Sequence, residues 1–399
     1  MKVGVFLEDI PPEEGGGYTM QGDLFRWFVK LAPESRHQFS VFAAEPEGLK
    51  GRLSNSSIGT IRFPGSFAER AVSKARRDVA GYGKQNKGAS RFDEVARTAG
   101  LDFIWFVGAE ALQVDMPYMA VVWDLQHRLQ PWFPEVSAGG RWKHREQFYS
   151  EFLRRAAFVI AGTEAGKEEI QRFYQLPAHT IKILKHPTPS FALEAASHDA
   201  GSDRRRLVEL GLTEPYLLYP AQLWAHKNHA NLFYALRVLK DKYNLELRLA
   251  LVGSDKGNQD YLKRLALELK IDSQVKFLGF VSGAELIELY RNALALTYVS
   301  YFGPENLPPL EAFALGCPVI AANVSGATEQ LGDAALLVDP SRPETIAAAI
   351  QSVNTDPAMR EKLVTRGRVR AQSWTAADFV RGVFSILDEF EMVRRCWDS

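Results

Sequence analysis

Hydrophobic residues along this chain fall into short runs separated by amphipathic stretches. The runs KVGVFL, FSVFAA, DFIWFV, YMAVVW and FVIAGT are apolar at nearly every position, so each predicts a strand buried on both faces of a sheet. Between them, around residues 23–31, 143–157 and 165–174, apolar positions recur at helical spacing. The alternation stops at HPTPSFALEAASHDAGSDRRR, which reads as a linker because it is rich in Pro, Ser and charge. It resumes with YLLYP, LRLALVG, QVKFLGF, ALALTYV, CPVIAA and ALLVDP. Strands separated by helices imply parallel sheets joined by right-handed crossovers. The expected fold class is α/β, with two Rossmann-like parallel-sheet domains facing across a cleft, the place where ligands of open α/β sheets bind. The boundaries fall at 1–190 and 191–375, with a closing segment at 376–399.

Length and composition narrow the picture. A chain of 399 residues is long for one core, so two domains are the default. The formal net charge is zero, which argues against binding nucleic acid through its phosphates. No run approaches the roughly 18 apolar residues of a membrane-spanning helix. The N-terminus, MKVGVFLEDI, enters a strand directly and does not read as a signal peptide. Cys317 and Cys396 lack metal-ligand spacing, and Cys317 in CPVIA reads as a small core residue, which fits a reducing cytoplasm. Charge is uneven locally. Between Arg70 and Arg97, eight Lys/Arg stand against three Asp/Glu, and a second basic helix starts at Arg141. These read either as solvated helix faces or as a docking surface for anionic lipid, including Arg76, Arg77, Arg154 and Arg155.

Four segments carry candidate chemistry. After the first strand, Gly15, Gly16 and Gly17 would let backbone N–H groups approach a ligand, or would make only a flexible turn. In YPAQLWAHKNHANLFYAL, Lys227 precedes a helix start, where its charge and the helix dipole suit a diphosphate. His226 and His229 flank it without a third ligand nearby, so no metal site is expected. In PENLPPLEA, free amides at Asn306 and Leu307 would take phosphate oxygens, and Glu311 in the first helical turn would accept the hydroxyls of a ribose diol. In WDLQHRLQPWFPE, Asp124 and His127 are expected at the cleft edge.

Together with VKFLGFVSGAELIELYRNA and the long block NLPPLEAFALGCPVIAANVSGATEQLGDAALLVDP, these segments resemble the retaining glycosyltransferases of family 4, which have the GT-B fold. The resemblance covers nearly the whole chain. It implies transfer of a hexose from a nucleotide diphosphate sugar, as UDP- or GDP-sugar, to a glycan or lipid-linked acceptor in polysaccharide biosynthesis. The configuration would be retained and no metal or other cofactor needed. It assigns Lys227 to the donor diphosphate, Glu311 to the ribose, the amides of Asn306 and Leu307 to phosphate, and Phe280 and Val281 to the base. The closing segment would cross back onto the first domain. A cytoplasmic location at the inner face of the membrane, with peripheral membrane association, is the accompanying expectation.

Three positions depart from the family pattern. The first of its paired glutamates falls on Gly303, with Glu305 two places late; its arginine before the lysine is Gln222; its histidine before the aspartate is Trp123. Glu305 is therefore a catalytic candidate only through a reshaped loop, beside Lys227, Asp124 and His127. Two other readings stand: a catalytically silent nucleotide-sugar-binding scaffold, and a GT-B sugar-nucleotide epimerase.

Overall fold

The computed structural model describes residues 1–8, 10, 15–44, 53, 56–63, 87–109, 111–112, 114–198, 205–213 and 215–397. Within them the chain builds two sheets, parallel throughout. The first holds β1 (Lys2–Phe6), β2 (Gln38–Ala43), β3 (Gly59–Arg62), β4 (Phe103–Phe106), β5 (Tyr118–Val122), β6 (Phe158–Ala161) and β7 (Ile181–Ile183), in the order β3-β2-β1-β4-β5-β6-β7. The second holds β8 (Tyr216–Pro220), β9 (Arg248–Val252), β10 (Val275–Gly279), β11 (Ala295–Tyr298), β12 (Val319–Ala322) and β13 (Ala335–Val338), in the order β10-β9-β8-β11-β12-β13.

Strand order reverses beside β1 in the first sheet and beside β8 in the second. At such a switch point the connections leave on opposite faces and open a crevice at the strands' carboxyl ends. The glycine loop follows β1 and the Lys227 turn follows β8, so both motifs stand at switch points.

The near-continuous apolar runs follow from burial of both sheet faces. In β4, Phe103 and Trp105 enter one cluster with Val3, Val5 and Phe28, while Ile104 and Phe106 enter another with Phe42, Phe92 and Tyr118. Period-two alternation thus divides one apolar strand between two cores. The final helix, Ala376–Arg394, opens with a capping box at Thr375 and Asp378. It places Phe379, Val383, Leu387 and Phe390 in the first cluster, so it belongs to the first sheet's core. Each such side chain contributes about 1.5–3 kcal/mol relative to exposure.

Two expectations change. The stretch read as a linker is partly helical, Ser190–Ser197, with Ala192 fully buried. Its small residues pack against the Leu307–Leu315 helix, and tertiary packing overrides the Pro- and Ser-rich signal at its edges. Strands β3 and β7 escaped the pattern because they are the short edges of the sheet, mostly half-buried or exposed, without a long apolar run. Cys317 is buried in the second core, as expected. Among the described residues, no helix is long and apolar enough to cross a membrane. Of the basic patches, 70–86 lies outside the described residues, and Arg155 is paired with Asp115 at 2.5 Å.

Candidate active site

The carboxyl end of β8 leads into a 3-10 turn, Ala225–Lys227, then Asn228 in the left-handed region (φ 59°), then the helix His229–Tyr243. Buried Asn228 donates from Nδ2 to the carbonyls of Val299 (2.9 Å) and Pro340 (2.7 Å), which fastens the turn to the segments after β11 and β13. Tyr301 N–H donates to the His226 carbonyl at 2.8 Å on the same side. The half-buried Lys227 points Nζ at the Tyr298 hydroxyl, 2.9 Å away, and lies 5.2 Å from the centre of that ring. The outcome is a fixed cation at the N-terminus of a 15-residue helix. Behind it, His229 is fully buried against Tyr219, and burial lowers its pKa to about 3, so it stays neutral. His226 is likewise held low by burial, although Glu135 pulls the other way. Among the described residues, neither lies in a cluster of three or more potential metal ligands.

Glu311 lies on the Leu307–Leu315 helix, but at its fifth residue and not in its first turn. The Pro308–Pro309 pair sits where a helix tolerates proline and moves the start upstream. The helix dipole therefore contributes little at Glu311. The residue is 7% exposed, and its carboxyl accepts from the Tyr290 hydroxyl at 2.7 Å. Burial raises its pKa to about 7, against the opposing effect of Tyr290.

The amide of Asn306 is not free. It donates to Gln330 Oε1 at 3.0 Å, and Gln330 Nε2 returns a bond to the Asn306 carbonyl at 2.9 Å. A buried amide finds a partner within the protein if the fold supplies one, and Gln330 was not visible as that partner in sequence. Leu307 buries its side chain in the first domain's core, with Cδ1 3.6 Å from where a Cβ on Gly16 would lie. A Cβ on Gly17 would lie 3.3 Å from the Trp123 ring. The glycine loop therefore brings the first domain against the Leu307–Leu315 helix and against the strand end that carries Asp124. Gln222 accepts from Trp224 Nε1 at 2.8 Å, while Phe280 is exposed and Val281 half-buried just past β10.

Glu305 turns away from the second domain. Its carboxylate accepts from the His186 amide at 2.7 Å and sits so close to Gly162 that a Cβ there would fall 1.3 Å from Oε2. Only glycine permits that approach. Burial holds the Glu305 carboxyl above its ordinary value, with His186 countering it. Gly303 has φ 137°, and a Cβ on it would meet Asn306 Oδ1 at 2.5 Å, so the loop excludes a side chain where the family pattern has a glutamate.

Asp124 lies at the cleft as expected, lining a small cavity with Trp123, Gly162, Thr163, Pro304 and Glu305. Burial by itself would raise its pKa, but Arg145 at 2.9 Å and the Gln126 amide hold it below the ordinary carboxylate value. His127 is not at the cleft edge. It is fully buried, with Nε2 3.2 Å from the Tyr174 hydroxyl and 3.3 Å from Glu146, and burial lowers its pKa to about 4. The one-turn helix Gln126–Leu129 rotates it inward onto the Arg141–Arg155 helix, a turn that the spacing from Asp124 did not disclose. A second small cavity is lined by Tyr298, Ser300, Gly303, Asn306, Pro309 and Gln330. The residues missed by sequence reasoning are Tyr290, Tyr298 and Gln330, none of which has a distinctive motif of its own.

The two facing sheets, with candidate residues at both switch points, have the GT-B fold of glycosyltransferases. The structure superposes on a glycosyltransferase from Rickettsia africae with a TM-score of 0.69, 15% identity and 98% of each chain covered. It superposes on HepE of Anabaena in complex with UDP with a TM-score of 0.67, 18% identity, and 98% of this chain and 100% of that one covered. Residues 203–370 match the profile of glycosyl transferases group 1. It is 27% identical over 244 residues to the O-antigen chain mannosyltransferase B of Escherichia coli, which covers 61% of this chain and 63% of that protein. The match thus spans less than two thirds of the relative's length.

Proposed function

We propose that the chain is a retaining hexosyltransferase of glycosyltransferase family 4. It moves a hexose from a nucleotide diphosphate sugar, with uridine or guanosine as base, to a glycan or lipid-linked sugar acceptor in polysaccharide biosynthesis. The observation that carries this reading is Lys227, a fixed cation at the N-terminus of a long helix at the switch point of a glycosyl transferases group 1 domain. The UDP bound to the similarly folded HepE supports a nucleotide donor.

In this mechanism the donor lies on the second domain. Lys227 and the first amides of the His229–Tyr243 helix stabilise the diphosphate as its charge develops. Ionised Glu311 accepts hydrogen bonds from the ribose hydroxyls, and Phe280 and Val281 border the base. The acceptor hydroxyl forms the new bond to the anomeric carbon on the face from which the diphosphate departs, and a leaving phosphate oxygen takes its proton. Lys227 and the amides supply the positive charge, so no metal is needed. Closure of the domains excludes water. The work takes place in the cytoplasm, at the inner face of the membrane where a lipid-linked acceptor would stand.

One observation favours a second reading, a silent nucleotide-sugar-binding scaffold: Gly303 replaces a glutamate and Glu305 faces the first domain. Calorimetry with UDP and GDP on wild type, Lys227→Ala and Glu311→Ala separates the cases, followed by turnover assays with the matching sugar nucleotides. One nucleotide class is expected to bind, with affinity about 10–100-fold weaker in Lys227→Ala, as for loss of a charged hydrogen bond. Equal binding in all three proteins would refute the assigned site, and binding without turnover on any acceptor would favour the scaffold.

A further inference from the structure

The start of β2 and the last helix meet at a cluster that the donor chemistry does not use. His37 stands just before β2, at the amino end of that strand, whereas the cleft lies at the carboxyl ends. Asp388 and Glu391 are three residues apart on the Ala376–Arg394 helix, so they share a face. Packing fixes where that face points. Leu387 and Phe390 are buried in the first core, and Phe39 of β2 stacks on Phe384 at 5.3 Å. One ligand atom each from His37, Asp388 and Glu391 falls within 4.8 Å of the others. The His37 side chain is fully buried, with Nε2 3.0 Å from Asp388 Oδ1, yet no hydrogen bond forms there. Glu391 Oε2 is likewise enclosed without a donor aimed at it. Burial, aided by the Met1 amine, lowers the His37 pKa against the pull of the two carboxylates, so the ring is neutral and has a lone pair to offer.

Arg36 supplies positive charge to this cluster. Its Nε lies 2.7 Å from Asp388 Oδ1 and 2.9 Å from Glu391 Oε2, which marks the point between the carboxylates where a cation is held. The Arg36 side chain is 53% exposed and can swing out to solvent. The Met1 amine faces the other Glu391 oxygen, Oε1, at 3.6 Å and leaves Oε2 available. A neutral imidazole with two carboxylates is a donor set for a divalent ion of the zinc class, with water completing the coordination. Neighbouring ligands of a tetrahedral zinc stand roughly 3.3 Å apart, so the carboxylates need to move by about 1.5 Å at most. A hard ion such as Mg2+ prefers oxygen ligands alone. We propose that His37, Asp388 and Glu391 form a binding site for a zinc-class divalent ion, which displaces the Arg36 guanidinium. The bound ion fastens the final helix to the first sheet on the side away from the cleft. Its role is structural, so the site is independent of the transferase reading, and no step of the transfer runs through it.

The test is zinc calorimetry on the chelator-treated full chain, with magnesium as the control ion. It compares wild type, Asp388→Asn, Glu391→Gln and Arg36→Gln. Wild type is expected to bind one zinc ion and to melt at a higher temperature with it, because the ion favours the folded state by mass action. Magnesium should do neither. Asp388→Asn and Glu391→Gln are expected to bind zinc about tenfold or more weakly, and to lose the visible absorption that cobalt gives in wild type. Arg36→Gln removes a competing cation from a half-exposed position and is expected to bind zinc several-fold more tightly. No zinc bound by wild type would overturn the site. So would binding that Asp388→Asn and Glu391→Gln leave unchanged, the mark of an adventitious ion. If either of those two variants fails to fold, Arg36→Gln decides, and a zinc affinity equal to or below that of wild type overturns the proposal.

Discussion

Replacing Glu311 with glutamine tests the raised carboxyl of the second domain. A carboxyl paired in the usual way has a depressed pKa, whereas burial raises that of Glu311 from 4.5 to about 7. The folded protein then holds this proton more tightly than the unfolded chain does. Between pH 4.5 and about 7 the native state therefore binds more protons, and stability from this group falls as pH rises through that window, then levels off. At about 1.4 kcal/mol per pH unit, the loss is about 3 kcal/mol, or roughly 6–12 °C for a domain of this size. Glutamine cannot ionise and has nearly the same shape. Thermal unfolding of wild type and Glu311→Gln at pH 5 and pH 8 should show similar melting temperatures in acid and a clearly more stable variant at pH 8. A ribose diol donating to the carboxylate favours its ionised form, so nucleotide affinity in wild type should rise by up to about tenfold from pH 6 to pH 8. That dependence should vanish in the variant. A wild-type-to-variant gap that is the same at both pH values would refute the argument.

Two further substitutions probe the frame of the site. Gly303→Glu, which writes in the glutamate of the family pattern, is expected to lower stability by roughly 1–3 kcal/mol and to restore nothing, because of its φ of 137° and the Asn306 side chain in the way. A melting temperature at or above wild type, with faster turnover, would show that the loop tolerates the side chain. Asn228→Ala strands two carbonyls and puts a Cβ-bearing residue without local hydrogen bonds in the left-handed region. It is expected to cost about 2–5 kcal/mol in urea unfolding, and a loss below about 1 kcal/mol would mean that the Lys227 turn is not anchored there.

The pattern of apolar runs disclosed five strands of the first sheet and all six of the second, because a strand buried on both faces needs no alternation to be seen. It missed β3 and β7, where an edge strand needs little apolar length. The place of Lys227 just before a helix start was legible because the apolar strand YLLYP and the helical pattern after it bracket the turn. Glu311 was singled out as a carboxylate beside a Pro-Pro turn, but its burial was not foreseen and its helical position was misplaced, since proline fixes a helix start only to within a residue or two. Asn306 and His127 failed for a common reason. The first depends on Gln330, 24 residues away, and the second on Glu146 and Tyr174, and sequence spacing contains no sign of such partners.

The cross-cleft contacts share a chemistry that bears on how the molecule works. Glu135 of the first domain takes the His226 amide of the second. In return, Glu305 takes the His186 amide, and Glu329 takes those of Glu164 and Ala165, where a first-domain helix begins. Each is a carboxylate on the other domain's backbone N–H groups, and each exchanges water for a protein partner on both sides. Such exchanges are worth about 1.5–3 kcal/mol at most for a charged group, and less where the carboxylate is desolvated, as Glu305 is. Apolar contacts across the cleft, through Leu307 and Phe133, are few beside the cores that each sheet keeps to itself. An interface of this kind holds the domains in register without fusing them, because water satisfies every one of these amides and carboxylates when they part. Under the proposed function, that is the balance required of a cleft that would admit a sugar nucleotide, close over it to exclude water, and reopen.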